Sequence, residues 1–211
     1  MNTATTLFFA LAALLSVVDW AAVARGSKPL EYLAKPAATT MFLLAAMTLD
    51  AADGVPRAWR VAALVLCLAG DVFLMLPNDS FVQGLGSFAV AQVLFVVSFV
   101  TQEPSTTGWI IGVAVAVPVT FLLARRFIGA LGSAGEKALV APVTIYMAVI
   151  TAMVVSAISG GTGLGIAGAV AFMVSDSLIA ETRFVKPWQW GGVAIMATYH
   201  LALAGLVLGL L

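Results

Sequence analysis

The chain has 211 residues, of which 62% are hydrophobic and 9% are charged, and its formal net charge is zero. Soluble domains carry about 25% charged residues, so this composition excludes an ordinary soluble domain and indicates an integral membrane protein. The balanced charge and the lack of a basic tail argue against nucleic acid as a partner.

Hydrophobic runs separated by charges, Gly and Pro predict an all-α fold, a polytopic bundle of eight transmembrane helices. A membrane span needs about 20 apolar residues, and residues 1–211 leave no room for a soluble domain, so we expect a single membrane domain. The first run has no basic residues before it and is expected to be a retained helix rather than a signal peptide. The helices are predicted at residues 4–24, 34–51, 58–76, 81–101, 108–124, 138–158, 162–181 and 189–210, with a loop at 125–138.

The basic residues predict the direction of these helices. If the N-terminus is extracytoplasmic, only Arg57 and Arg60 of the ten Lys and Arg residues fall outside, which satisfies the positive-inside rule. We therefore expect both termini to be extracytoplasmic. In a bacterium the protein would lie in the inner membrane.

Four charged residues of the predicted helices occupy one layer of the membrane. Given this orientation, Asp19 in span one, Asp71 in span three and Asp176 in span seven each lie near the cytoplasmic end of a helix, and Lys35 opens span two from the same side. Asp71 and Asp176 lie about 7 Å from their helix ends, because a helix rises about 1.5 Å per residue. Charged residues at such depth usually face the bundle interior and mark function. A structural pair, such as Asp19 with Lys35, is the alternative.

Other polar residues of the spans are candidates for lining a site. Gln92 in span four, Tyr146 in span six and Tyr199 in span eight need hydrogen-bond partners if they are buried. With one histidine, His200, and one cysteine, Cys67, the chain has no His-rich or Cys-rich zinc signature. We predict no metal and no cofactor, and a site of three carboxylates stays an alternative.

The two deep aspartates share their local sequence. "GDVFLM" around Asp71 and "SDSLIA" around Asp176 lie about half the chain apart, each in the third span of a four-span half. Since four spans return the chain to the same side, this pattern predicts a four-plus-four helix internal repeat within the domain.

Two neighbouring buried carboxyl groups favour acid–base chemistry. Burial disfavours the charged form of a carboxyl group and a second carboxylate disfavours it further, so such a pair can supply one acid and one base. This suits acid-catalysed cleavage of an ether-type bond, and it suits proton-coupled transport equally well. In a purely structural bundle, both aspartates would tolerate Asn.

Several segments together resemble a known family. "LAKPAATTMFLL", "LAGDVFLMLP", "FVQGLGSFAVAQVLF", "AFMVSDSLIAETRF" and "ATYHLALAGL" resemble, in order and spacing, the YhhN-like lysoplasmalogenase family. The chain departs from the family where Ala-His-x-x-Tyr is common in span four, since it has Ala91, Gln92 and Phe95. It also has Tyr199 and His200 where Tyr-Tyr is frequent.

The resemblance implies a hydrolase that cleaves the vinyl-ether bond of a lysoplasmalogen, a lysophospholipid, to a fatty aldehyde and glycerophosphoethanolamine or glycerophosphocholine. Asp71 and Asp176 would be the catalytic pair, and Lys35 and Arg183 would hold the phosphate. The alternative is a proton-coupled transporter or lipid-binding membrane protein that uses the same acids. No sequence feature predicts an oligomeric state. Further candidates for substrate binding are Asp19, Tyr146, Tyr199 and Gln92.

Overall fold

The chain is all-helical in the part that the structure describes. A computed structural model describes residues 1–50, 54–77 and 80–211, and its eight α-helices confirm the predicted helix bundle. A short π-helix, Glu181–Val185, directly follows the seventh helix. The helices are α1 Thr3–Ala24, α2 Lys28–Thr48, α3 Gly54–Met75, α4 Phe81–Val100, α5 Thr106–Ser133, α6 Lys137–Gly160, α7 Gly163–Ala180 and α8 Gly191–Leu208.

Seven of the eight helices in the described part of the chain are long and apolar enough to cross a membrane, which makes the chain a multi-pass integral membrane protein. The helix that does not reach this apolarity is α2, although it has 21 residues. Its first half carries Lys28, Glu31 and Lys35. It packs along α1, α3 and α8, so it is part of the bundle.

Two predicted boundaries differ from the structure by more than four residues. Helix α2 begins six residues before the predicted start at 34, because Pro29 is accommodated in its first turn and Lys28 pairs with Glu31 at 2.8 Å. The predicted loop 125–138 was wrong, since α5 continues to Ser133. The extension keeps an amphipathic pattern, with Phe127 buried against neighbouring helices, and tertiary packing stabilises such a helix end.

Six helices form a closed circuit of contacts around the core. Following the circuit, α2 packs on α3, α3 on α4, α4 on α6, α6 on α7, α7 on α8, and α8 on α2. Outside it, α1 packs against α2 and α8, and α5 packs against α6. Side chains from all six circuit helices can therefore meet in the interior.

The contacts of the first four helices recur in the second four. Helix α1 packs on α2 as α5 packs on α6, and α3 packs on α4 as α7 packs on α8. Pro36 lies within α2, and Pro142 lies near the same place in α6. The four-plus-four repeat stays a prediction, and this arrangement is the one that such a repeat requires.

Helices α7 and α8 approach each other closely through glycines. A Cβ atom on Gly168 would lie 2.5 Å from the Leu206 backbone nitrogen, and one on Gly205 would lie 2.8 Å from the Cα of Gly168. Small residues at such crossings let two backbones approach within a membrane. This crossing places the C-terminal half of α7, with Asp176, beside α8.

We expect Gly168→Ala to destabilise the protein by about 1–3 kcal/mol, because the added methyl group forces two backbones apart. Thermal unfolding in detergent measures this effect. Gly163→Ala is the matched control, since a Cβ there has nothing within 4 Å. Equal stability of the two variants would contradict the close crossing.

Candidate functional site

Asp71 lies at the centre of a polar cluster that joins three helices. Its side chain is 1% exposed, and its Oδ2 accepts hydrogen bonds from Thr39 Oγ1 at 2.6 Å and from Tyr199 Oη at 2.8 Å. The ammonium of Lys35 lies 3.3 Å from Oδ1. Lys35 and Thr39 are four residues apart on α2, so both face α3. The cluster thus holds a carboxylate beside its own counter-ion.

Asp176 has a different environment on α7. It is half-buried and accepts a hydrogen bond from the hydroxyl of Tyr146 on α6. Within the described ranges no hydrogen bond or ion pair joins it to Asp71 or to a cation. The two acids therefore share the core but not their hydrogen-bond partners.

An apolar pocket leads from the bundle surface to Asp176. Its empty space is about 660 Å³, a volume that includes the open mouth. Among the described residues of its lining, Asp176 is the only charged one. Asp71, Lys35, Tyr199 and Gln92 are not in this lining. The lining residues are Leu74, Phe81, Leu85, Phe88, Thr120, Leu123, Phe127, Val143, Tyr146, Met147, Ile150, Met173, Asp176, Ser177, Ile179, Ala180 and Phe184.

Basic residues lie beside the aromatic part of this lining. The exposed guanidinium of Arg183 lies over the ring of Phe81 at 4.2 Å and near that of Phe184 at 5.9 Å. Arg126 on α5 donates to both carboxylate oxygens of Glu181 at 2.7 and 2.6 Å. This bidentate pair ties α5 to the π-helix.

Asp19 and Gln92 are buried but form no hydrogen bonds within the described chain. Both oxygens of Asp19 and both polar atoms of Gln92 lack a partner there. Lys35 pairs with Asp71, so the alternative pairing of Lys35 with Asp19 is not the one observed. Gln92 lies on α4, which packs against α6, the helix of Tyr146.

Three further buried residues of this region were not among the predicted site residues. Thr39 binds Asp71, and its position one turn after Lys35 on α2 was the available signal. Cys67 is buried on α3, four residues before Asp71. His200 is buried beside Tyr199, with ring centroids 5.6 Å apart, and its Nδ1 accepts a hydrogen bond from Trp20. Nothing in an apolar helix pattern distinguishes such contacts from ordinary packing.

Within residues 1–50, 54–77 and 80–211, no three His, Cys, Asp or Glu side chains are grouped so that they could hold a metal ion. The chemistry that the described geometry offers is that of a carboxyl group at the wall of an apolar pocket. An amphiphile with an apolar chain and an anionic headgroup would match the pocket and the adjacent Arg183. A carboxyl group so placed can donate and accept a proton.

Comparison with known proteins identifies the family. The YhhN family model matches residues 30–210. A protein named lysoplasmalogenase from Mycobacterium bovis is 32% identical over 172 residues, which cover 78% of this chain and 65% of that protein. Human lysoplasmalogenase TMEM86B is 30% identical over 140 residues, 66% of this chain and 58% of the human protein. This chain thus spans less than two thirds of the length of these relatives. No solved structure gives a significant match. The match over residues 30–210 shows that the chain belongs to the YhhN family.

Proposed function

We propose that this protein is a membrane-embedded hydrolase that cleaves the vinyl-ether bond of a lysoplasmalogen. The products are a fatty aldehyde and glycerophosphoethanolamine or glycerophosphocholine. The observation that carries the proposal is the Asp176 carboxyl group, held by Tyr146 at the wall of an apolar pocket. Relatives named lysoplasmalogenase support the choice of substrate.

The pocket accounts for substrate binding. Its apolar lining takes the alkenyl chain, and Arg183, stacked over Phe81 of the lining, binds the phosphate at the mouth. A lysolipid bound in this way has its ether bond between chain and headgroup, where Asp176 can reach it. The predicted topology would place this mouth at the cytoplasmic leaflet.

Asp176 acts as the general acid. In the first step its proton is transferred to the vinyl carbon that is not bonded to oxygen, and the electrons of the carbon–carbon double bond form the new C–H bond. The adjacent carbon becomes an oxocarbenium-like centre. Tyr146 positions the carboxyl group through its hydrogen bond.

Water then completes the reaction. It adds to the oxocarbenium-like carbon and gives one proton to the Asp176 carboxylate, which restores the acid. The resulting hemiacetal collapses: its C–O bond to glycerol breaks, the glycerol oxygen gains the hydroxyl proton, and the aldehyde leaves. The sum is one water consumed for each ether bond cleaved.

Asp71 supports this reaction electrostatically from within the core. Its carboxylate, paired with Lys35 and held by Thr39 and Tyr199, is a fixed negative charge that favours the cationic intermediate. We assign the acid to Asp176 because it lines the pocket and has no cation beside it within the described residues. Lys35 serves as the counter-ion of Asp71 instead of a phosphate ligand.

The test is an assay with the full chain purified in detergent. We expect aldehyde release from a lysoplasmalogen, and none from the corresponding acyl lysophospholipid, with or without a chelator. Uptake of the lipid into liposomes without any turnover would contradict the hydrolase and support the transporter alternative.

Replacing Arg183 tests the assignment of the phosphate ligand. We expect Arg183→Gln to raise KM about tenfold with little change in kcat, because a charge-assisted hydrogen bond to the headgroup is lost. Arg125→Gln is the matched control, since Arg125 is exposed on α5 and does not line the pocket. Equal KM values for the two variants would contradict the assignment.

A further inference from the structure

Gln92 carries a buried amide whose partners the described chain does not supply. Its side chain is 0% exposed, and neither Oε1 nor Nε2 forms a hydrogen bond to a described residue. An amide offers two donors and two lone pairs, and an unpaired buried polar group costs about 1–3 kcal/mol. In an apolar helix bundle, a bound polar molecule that pairs with the amide would remove this cost.

The position of Gln92 connects this amide to the catalytic acid. Gln92 follows Phe88, a lining residue of the pocket, by four residues on α4, so it lies about 6 Å further along the same face. Tyr146 also lines the pocket, its hydroxyl donates to Asp176, and its helix α6 packs against α4. The unpaired amide therefore lies one helix turn beyond the pocket lining, on a helix that packs against the helix of Tyr146.

We infer that Gln92 binds and orients the water molecule that attacks the oxocarbenium-like carbon, an inference that rests on the proposed hydrolase function. The amide oxygen accepts a hydrogen bond from this water and leaves a water lone pair directed at the carbon. A neutral amide does not take up the proton that the water loses. That proton goes to the Asp176 carboxylate, which has just given its own proton to the substrate.

The role of Gln92 is thus to position water, and it affects the second step only. Protonation of the vinyl carbon by Asp176 needs no contribution from the amide. Once the cationic carbon has formed, any nucleophile in reach can add to it. A site that holds water in place favours hydrolysis over the addition of a small alcohol.

Competition between water and methanol measures this selection. Methanol adds to the oxocarbenium-like carbon through its oxygen, loses its proton to Asp176, and gives a mixed methyl acetal in place of the aldehyde. We expect the ratio of acetal to aldehyde, measured by mass spectrometry, to rise about tenfold in Gln92→Leu, the effect of one lost hydrogen bond on a rate. Gln92→Asn, which keeps a shorter amide, should give an intermediate ratio.

Stability distinguishes this role from a structural one. Because Leu replaces an unpaired buried amide by an apolar group of similar size, Gln92→Leu should unfold at the same or a higher temperature than the unmodified protein. Ser98→Ala on the same helix is the matched control, since Ser98 is buried with protein partners, Arg60 and Pro56. It should lower stability and leave the product ratio unchanged.

The outcomes separate this inference from the proposed function. If the unmodified protein releases no aldehyde, the proposed function fails. If it releases aldehyde and Gln92→Leu gives the same acetal-to-aldehyde ratio as the unmodified protein, the water-positioning role of Gln92 is overturned and the hydrolase proposal stands.

Discussion

Asp176→Asn is expected to abolish aldehyde release and leave the protein folded. Asn has nearly the shape of Asp, and its amide oxygen can still accept the hydrogen bond from Tyr146. Its amide group is not acidic, however, so it cannot protonate the vinyl carbon. Loss of a general acid typically costs about 10²–10⁴-fold in rate. The initial rate of aldehyde release from a lysoplasmalogen in detergent measures the loss, and thermal unfolding verifies that the variant is folded.

Asp50→Asn is the matched control for this substitution. Asp50 is exposed, lies outside the pocket lining, and contacts only the side chain of Asn2 among the described residues, at 3.3 Å. It should retain full activity. A fully active Asp176→Asn variant would rule out the proposed acid, whatever the activity of the control.

Hydropathy and charge predicted the architecture because the membrane interior has no water to solvate polar groups. Each spanning segment must be apolar and must form its backbone hydrogen bonds internally, so the helices can be recognised in the sequence as apolar runs. The prediction failed at α5, where the helix continues past the span to Ser133. There Phe127 packs against neighbouring helices, and the charged pair Arg125 and Arg126 indicates the edge of the membrane and not the end of the helix.

The residues of the candidate site could be proposed in part from sequence, because isolated charges in apolar helices are conspicuous. Asp71 and Asp176 were found in this way. The sequence could not predict which of the two borders the pocket, because their local sequences are alike. The difference between their surroundings comes from residues of other helices. Lys35 and Tyr199 reach Asp71 from α2 and α8, whereas Tyr146 is the one described residue that hydrogen-bonds to Asp176. Such contacts depend on how helices distant in sequence pack together.

The ion pair between Lys35 and Asp71 is expected to show the largest effect on stability. Its side chains are 5% and 1% exposed, and Nζ lies 3.3 Å from Oδ1. Lys35→Met keeps most of the side-chain volume and leaves the charge of Asp71 buried with Thr39 and Tyr199 as its partners among the described residues. Breaking a buried pair from one side costs about 3–5 kcal/mol, which denaturant unfolding in detergent would measure.

A double substitution and a surface pair test whether buried charge causes this loss. Lys35→Met combined with Asp71→Leu should recover most of the lost stability, because no unpaired charge remains, but it should not recover aldehyde release, because the negative charge near the cationic intermediate is gone. Lys28→Met removes the cation of an ion pair whose lysine is 66% exposed, and it should cost less than about 1 kcal/mol. If Lys35→Met is no more destabilising than Lys28→Met, or if the double variant is less stable than Lys35→Met alone, the electrostatic role given to this pair is wrong.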